Sequence, residues 1–275
     1  GVNALGANTT ANHNVAVGNN SLLVNTTGAS NTAVGSAALA ANTTAANNVA
    51  VGKDAMAANT TGTYNTAVGF EAMTTGQTFG YNTAVGYQAL TADTTGDYNT
   101  AVGWKAGDAN QGGHFNTALG ANSMGAMTSA SYSVAIGYNA LAVTVSGQCT
   151  AVGAHALMTQ TSAPDNVAVG YDALKLNTSG GNNVVVGSFA ADANTTGADN
   201  TVVGNYALST CSTGGWNTAI GKSALNALTT GTYSIGIGVN AGGNINTGTY
   251  NIAIGTYALD TNTTASYNVA VGASA

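Results

Sequence analysis

The segment Asn82 to Tyr98 reads NTAVGYQALTADTTGDY, and its reading decides the fold, because the rest of the 275-residue chain repeats it. Gly86 within it belongs to the series Gly1, Gly18, Gly35, Gly52, Gly69, Gly86, Gly103, Gly120, Gly137, Gly153, Gly170, Gly187, Gly204, Gly221, Gly238, Gly255 and Gly272. Every interval is 17 residues except the 16 between Gly137 and Gly153. A fixed period near 20 residues is the signature of a solenoid, in which each unit buries its apolar face against its neighbours. The expectation is an all-β protein: one continuous repeat domain over 1–275, an elongated parallel β-solenoid (a β-roll) of about sixteen rungs. Partial rungs occupy 1–13 and 268–275, and an irregular 16-residue rung occupies 133–148. These partial rungs suggest either a window on a longer array or subunits that complete one another head to tail. At about 4.8 Å per rung the rod would be roughly 75 Å long. The short step predicts a kink near Val143–Gln148.

With the Asn of NTAVG as position 1, each rung has a fixed grammar. Position 1 is Asn except at Ser133, Cys149 and Ser234; position 4 is always Val, Ile or Leu; position 5 is the glycine. Positions 2 and 4 share one face of an extended strand and favour β-branched residues, with the small position 3 on the other face. Residues 1 to 4 therefore read as a short strand. Glycine at position 5 suits a positive φ or a close backbone approach. Ala-Leu or Ala-Met at positions 8 and 9 read as a second short strand with its large side chain buried. Positions 12 to 16, NTTG or a relative, are turn formers. Position 17 is aromatic at Tyr64, Tyr81, Tyr98, Phe115, Tyr132, Trp216, Tyr233, Tyr250 and Tyr267, which predicts two stacked aromatic ladders.

Charge is scarce. Only 5% of residues are charged, arginine is absent and the net charge is −6. Nucleic-acid binding needs clustered Lys and Arg, so that class is set aside. No run of 18 apolar residues exists, so no membrane-spanning helix is expected. A charged segment followed by an apolar core, as in a signal peptide, is not visible at the start. Every charged residue lies at positions 6 to 17, which leaves the first strand free of charge. With three or four apolar side chains per rung a single roll is thin, and that strand is expected to pack on the same strand of another copy.

The units NTAVGYQAL, NVAVGYDAL and SVAIGYNAL, joined by NTTG turns, resemble two related families. One is the head domain of trimeric autotransporter adhesins, a left-handed parallel β-roll. The closer resemblance is to the 17-residue NTAIGYQAL/NTTG repeat of phage tail fibres and bacterial surface proteins. The resemblance covers essentially the whole chain. It implies a homotrimeric, left-handed β-roll shaft or head that reaches outward from a cell or virion and binds a surface, a host glycan or protein. No anchor, coiled-coil stalk or chaperone tip is visible, which leaves virion and cell surface equally open.

Candidate chemistry is sparse. His13, His114 and His155 fall in well-separated rungs and cannot converge on one metal, and no cofactor is expected. Asp93 with Asp97 and Asp192 with Asp199 are the acidic pairs that glycoside hydrolysis would require. Their turn positions favour local hydrogen bonding instead. Cys149 and Cys211 fall three rungs apart, too far for a disulfide. No Ser-His-Asp grouping, phosphate loop or CxxC pair is present, so no enzyme is expected. Thr fills position 13 in eleven rungs, from Thr9, Thr26, Thr43 and Thr60 onward. Such a ladder could face ice, but it is interrupted at Gln77, Gln111, Val145 and Asn246. N-x-[ST] sequons at Asn8, Asn25, Asn42, Asn59, Asn177, Asn194 and Asn262 would be glycosylation acceptors if exposed, although NTT is simply part of the repeat. The expected function is a non-catalytic structural fibre or adhesin domain, extracellular or virion-associated. It associates with itself as a homotrimer or an end-to-end filament. The competing class is a carbohydrate-binding or carbohydrate-cleaving solenoid.

Overall fold

The computed structural model describes residues 1–76, 78–143 and 147–275. The fold is a parallel β-solenoid with three-residue strands at positions 2 to 4 of each rung and no helix among the described residues. The chain divides into two compact units, Gly1–Ala135 and Ile136–Ala275. The first holds β1 (Val15–Val17), β2 (Thr32–Val34), β3 (Val49–Val51), β4 (Thr66–Val68), β5 (Thr83–Val85), β6 (Thr100–Val102) and β7 (Thr117–Leu119). Strand β8 (Val134–Ile136) falls on the boundary. The second holds β9 (Thr150–Val152), β10 (Val167–Val169), β11 (Val184–Val186), β12 (Thr201–Val203), β13 (Thr218–Ile220), β14 (Ile235–Ile237), β15 (Ile252–Ile254) and β16 (Val269–Val271). Within each unit consecutive strands pair in parallel and in register, so that Ala84 lies beside Ala67 and Ala101, and Ala219 beside Val202 and Gly236.

The alanine face of the strand is the inner one. Ala33, Ala50, Ala67, Ala84 and Ala101 are fully buried, while the flanking Thr and Val remain partly exposed. A 17-residue rung leaves room inside for a small side chain opposite the position-9 residue, alanine in most rungs and valine at the buried Val185 and Val202. Leu39, Met56, Met73, Leu174, Leu208 and Leu225 fill position 9 completely shielded from water.

The second strand expected at positions 8 and 9 is not formed; this stretch is a turn. Its backbone alternates into the left-handed region, at Gln88 (φ 53) and Leu90 (φ 50) and at Asp54 (φ 57) and Met56 (φ 51). An extended strand cannot contain that alternation. The rung-to-rung hydrogen bond nevertheless survives: Leu90 N–H donates to Ala106 O at 3.0 Å and Met56 N–H to Ala72 O at 3.0 Å. A left-handed leucine costs about 1–2 kcal/mol. Burying its side chain returns about 1.5–3 kcal/mol, so burial wins.

The position-5 glycines from Gly18 to Gly272 take φ between 127° and 143°. At Gly86 an added Cβ would overlap the carbonyl of Gly103 in the next rung. Both the backbone angle and the contact therefore demand glycine. The kink expected near Val143–Gln148 centres on residues 144–146, which lie outside the described residues.

Asparagine supplies the polar interior. At position 1, Asn82 N–H donates to Asn65 Oδ1 (2.9 Å), Asn99 N–H to Asn82 Oδ1 (2.7 Å) and Asn116 N–H to Asn99 Oδ1 (3.0 Å). Each side-chain amide also spans its own rung, as Asn99 Nδ2 does to Gly113 O at 2.7 Å. At position 12, Asn59 Nδ2 donates to Gly62 O (3.1 Å) while Gly62 N–H donates to Asn59 Oδ1 (3.1 Å). The corner of the rung thus has its backbone groups satisfied without water.

Candidate functional site

The expected aromatic ladders are present, one in each unit. In Gly1–Ala135, Tyr64, Tyr81, Tyr98, Phe115 and Tyr132 stack with ring centroids 4.9–5.1 Å apart and planes within 10° of parallel. In Ile136–Ala275, Trp216, Tyr233, Tyr250 and Tyr267 stack at 4.9–5.2 Å. Each of these residues is left-handed, as at Tyr81 (φ 61), and each N–H is held by the preceding rung, as Tyr81 N–H is by Thr63 O at 3.1 Å. Most of these residues are about half exposed, and Tyr132 and Tyr267, the last ring of each ladder, are more so. Face-to-face stacking covers the ring faces along the ladder, the surface that would receive a cation. What remains open to solvent is ring edge.

A second aromatic column, at positions 6 and 7, was not singled out in the sequence. Phe70 stacks on Tyr87 at 5.5 Å, and Phe189 on Tyr206 at 5.0 Å. His155 sits in the same column between Tyr138 (5.5 Å) and Tyr171 (5.8 Å). Its Nδ1 is 2.9 Å from Asp172 Oδ1, and Asp172 Oδ2 accepts from Lys175 Nζ at 3.0 Å. The signal for this group was available: position 7 at an offset of 17 places His155 against Asp172.

The two members of the first acidic pair differ in burial. Asp93 is buried in the interior, whereas Asp97 lies half-exposed and accepts Gly80 N–H at 2.7 Å. Desolvation pushes the Asp93 carboxyl up to about 7 and also raises Asp192, whose Oδ1 is buried without a partner. His114 belongs to the Asp97 turn, its Nδ1 accepting Asp97 N–H at 3.0 Å, and His13 is exposed at a distance in sequence. Among the described residues no three His, Cys, Asp or Glu side chains gather as a metal ion requires. Cys149 and Cys211 are both buried and not joined in a disulfide, and burial pushes the Cys211 thiol up to about 11.

The threonine ladder spends its hydroxyls internally. Thr9 Oγ1 donates to Thr26 O (3.0 Å), Thr26 to Thr43 O (3.1 Å) and Thr178 to Thr195 O (2.9 Å). Of the interruptions noted in the sequence, Gln77 and Val145 lie outside the described residues. The sequon asparagines Asn25, Asn42, Asn59, Asn177 and Asn194 are buried, with their Nδ2 atoms committed to turn carbonyls, so the folded protein offers none of these five to a glycosylating enzyme.

The remaining surface of note is the outer strand face. Val186, Val203, Ile220, Ile237 and Ile254 form one column, each 37–39% exposed, and the rows at positions 1 to 5 carry no charge. Exposed aliphatic patches of this regularity are uncommon on monomeric soluble proteins. Inside, the rungs are filled: the void beside Leu90, Gly107, Met124 and Met127 measures only about 10 Å³. No helix of the described residues is long and apolar enough to cross a membrane. No protein-family model matches the sequence, and neither does any curated protein.

Proposed function

We propose that this chain is a non-catalytic structural repeat domain of a fibre or adhesin. It forms a stiff filament or shaft, extracellular or virion-associated, that displays a repeated surface for attachment. The observation that carries the reading is the uncharged aliphatic column of the strand face, with Ile220, Ile237 and Ile254 in register. A second copy has the same rung period, so its side-chain rows are commensurate with these and can interlock along the whole face. That match supports self-association, as a homotrimer or an end-to-end filament.

Carbohydrate cleavage is the competing class. It is disfavoured by the burial of Asp93, which leaves only Asp97 of that pair open to solvent, and by the covered ring faces of both ladders. Light scattering at micromolar concentration tests the assembly: a trimer or larger species supports the proposal, and a monomer contradicts it. Incubation with capsular or cell-wall polysaccharides tests the chemistry. Binding without new reducing ends supports an adhesin, whereas release of reducing ends would overturn the structural reading.

A further inference from the structure

Asp93 occupies position 12, the place of Asn59, Asn110, Asn177 and Asn194 in other rungs. Each of those amides makes a two-point contact with the residue three positions on. Oδ1 accepts the glycine N–H, and Nδ2 donates to the glycine carbonyl, at 3.1 and 3.1 Å for Asn59, 2.9 and 3.2 Å for Asn110, and 3.0 and 2.9 Å for Asn194. Asp93 keeps the first half: its Oδ1 accepts Gly96 N–H at 2.8 Å. Its Oδ2 takes the place of the donating nitrogen and is buried with no hydrogen-bond partner. A carboxylate oxygen there would face the Gly96 carbonyl oxygen, the counterpart of those that the sibling amides donate to. A carboxylic acid would restore the missing donor.

We infer that Asp93 is protonated in the folded protein at mildly acidic pH, donating its hydroxyl to the Gly96 carbonyl as the sibling asparagines donate their amides, and that the turn it closes is a pH-sensitive latch in the unit Gly1–Ala135. The surroundings support the neutral form. In the preceding rung the column is occupied by Gly76 and the buried ring of Phe79, and the described residues of that turn, Thr78, Phe79 and Gly80, carry no titratable group. In its own turn the one charged neighbour is Asp97, a like charge. In the following rung the Asn110 amide hydrogen-bonds the carboxyl and, with the Gly96 and Thr95 backbone, opposes the shift that desolvation outweighs; His114 engages Asp97, and Lys105 and Asp108 act on each other.

Burial raises the group from 3.8 to about 7. A folded-state value above the unfolded one means that the stabilisation is complete below pH 3.8 and is lost as pH rises through about 7. Above that pH the turn carries a buried charge against Gly96 O, and opens more readily.

Two measurements on the full chain test this. In the protein labelled with ¹³C-aspartate, the Asp93 Cγ resonance, assigned through the Gly96 amide, should titrate with a midpoint near 7. A midpoint in the ordinary carboxylate range would overturn the proposal. Thermal unfolding of the unmodified chain should fall by about 5 °C or more between mildly acidic and mildly alkaline pH. Asp93→Asn, which installs the sibling amide, should remove that fall, and Asp97→Asn should keep it. A pH profile unchanged by Asp93→Asn would overturn the latch.

Discussion

The ring of Phe79 stands in the space that Gly76 leaves empty. A Cβ built on Gly76 would overlap the Phe79 ring, and Phe79 is almost fully buried. Elsewhere the same two positions are Asn and Gly, as at Asn59 and Gly62. The large group has changed places within the turn, from position 12 to position 15, and the corner stays filled. Gly76→Asn alone should overpack the corner at about 1–3 kcal/mol, and Phe79→Gly alone should cost about 3–5 kcal/mol through the cavity it leaves. The double variant should cost much less than their sum, because it rebuilds the Asn–Gly corner. Urea unfolding of the four proteins, read as a double-mutant cycle, measures this coupling. Additive losses would refute the exchange.

Two glycines in successive rungs should respond oppositely to alanine. Gly86→Ala meets the Gly103 carbonyl at a φ of 139°, so the backbone itself must move, and a loss of several kcal/mol or failure to fold is expected. Gly107 has φ 59, a region where Leu and Met already sit in other rungs, and its new Cβ would lie 3.1 Å from Leu90 Cδ2, the end of a flexible side chain. Gly107→Ala should change stability by less than about 1 kcal/mol. Melting temperatures of the two variants decide the matter.

The interior asparagines should outweigh the visible aromatics. Asn99→Ala removes a donor to Gly113 O, which keeps its second donor Asn110 Nδ2, and the acceptor for Asn116 N–H, which is left buried and unpaired. With about 1–3 kcal/mol for the orphaned N–H and about 0.5–1.5 kcal/mol for the lost bond to Gly113, the loss should be about 2–4 kcal/mol. Tyr98→Ala loses exposed stacking on Tyr81 and Phe115, worth about 0.5–1.5 kcal/mol per contact. Hydrogen exchange should show Asn116 N–H losing protection in the first variant and keeping it in the second.

Ile220→Glu with Ile237→Glu places charge on the outer strand face without touching the interior. Surface substitutions of this kind cost the fold little. The circular dichroism spectrum should be unchanged while the assembly dissociates to monomers in light scattering. Retained assembly would move the proposed interface elsewhere.

Both thiols should be silent toward a disulfide reagent at neutral pH, because Cys149 and Cys211 are buried and burial raises each thiol. Labelling should appear only as denaturant opens Ile136–Ala275, with both cysteines reacting together if that unit opens cooperatively.

The strand, the glycine and the aromatic ladders were legible because each depends on a residue's intrinsic preference. Val85 favours an extended backbone, Gly86 a positive φ, and Tyr98 returns at a fixed offset. The turn at Gln88–Leu90 was not legible, since neither residue advertises the left-handed conformation it adopts; burial of the Leu90 side chain imposes it. The asparagines misled for a related reason. In the sequence Asn59 reads as a surface turn or a sequon, and only closure of the rung around it turns the same hydrogen bonds inward. The His155–Asp172 contact needed no structure, only the comparison of position 7 across adjacent rungs.

The register that sets Ala67, Ala84 and Ala101 side by side also governs how such a chain can change in length. Excising 17 residues inside a unit brings like against like: alanine meets alanine, asparagine oxygen meets amide, and glycine meets glycine. Excising an odd remainder within the strand would turn its outer face inward and its alanines outward, breaking the columns on both sides of the strand. Insertions and deletions are therefore quantised to the rung, and a gene encoding this protein can lengthen or shorten its product by unequal recombination without inventing a single new contact.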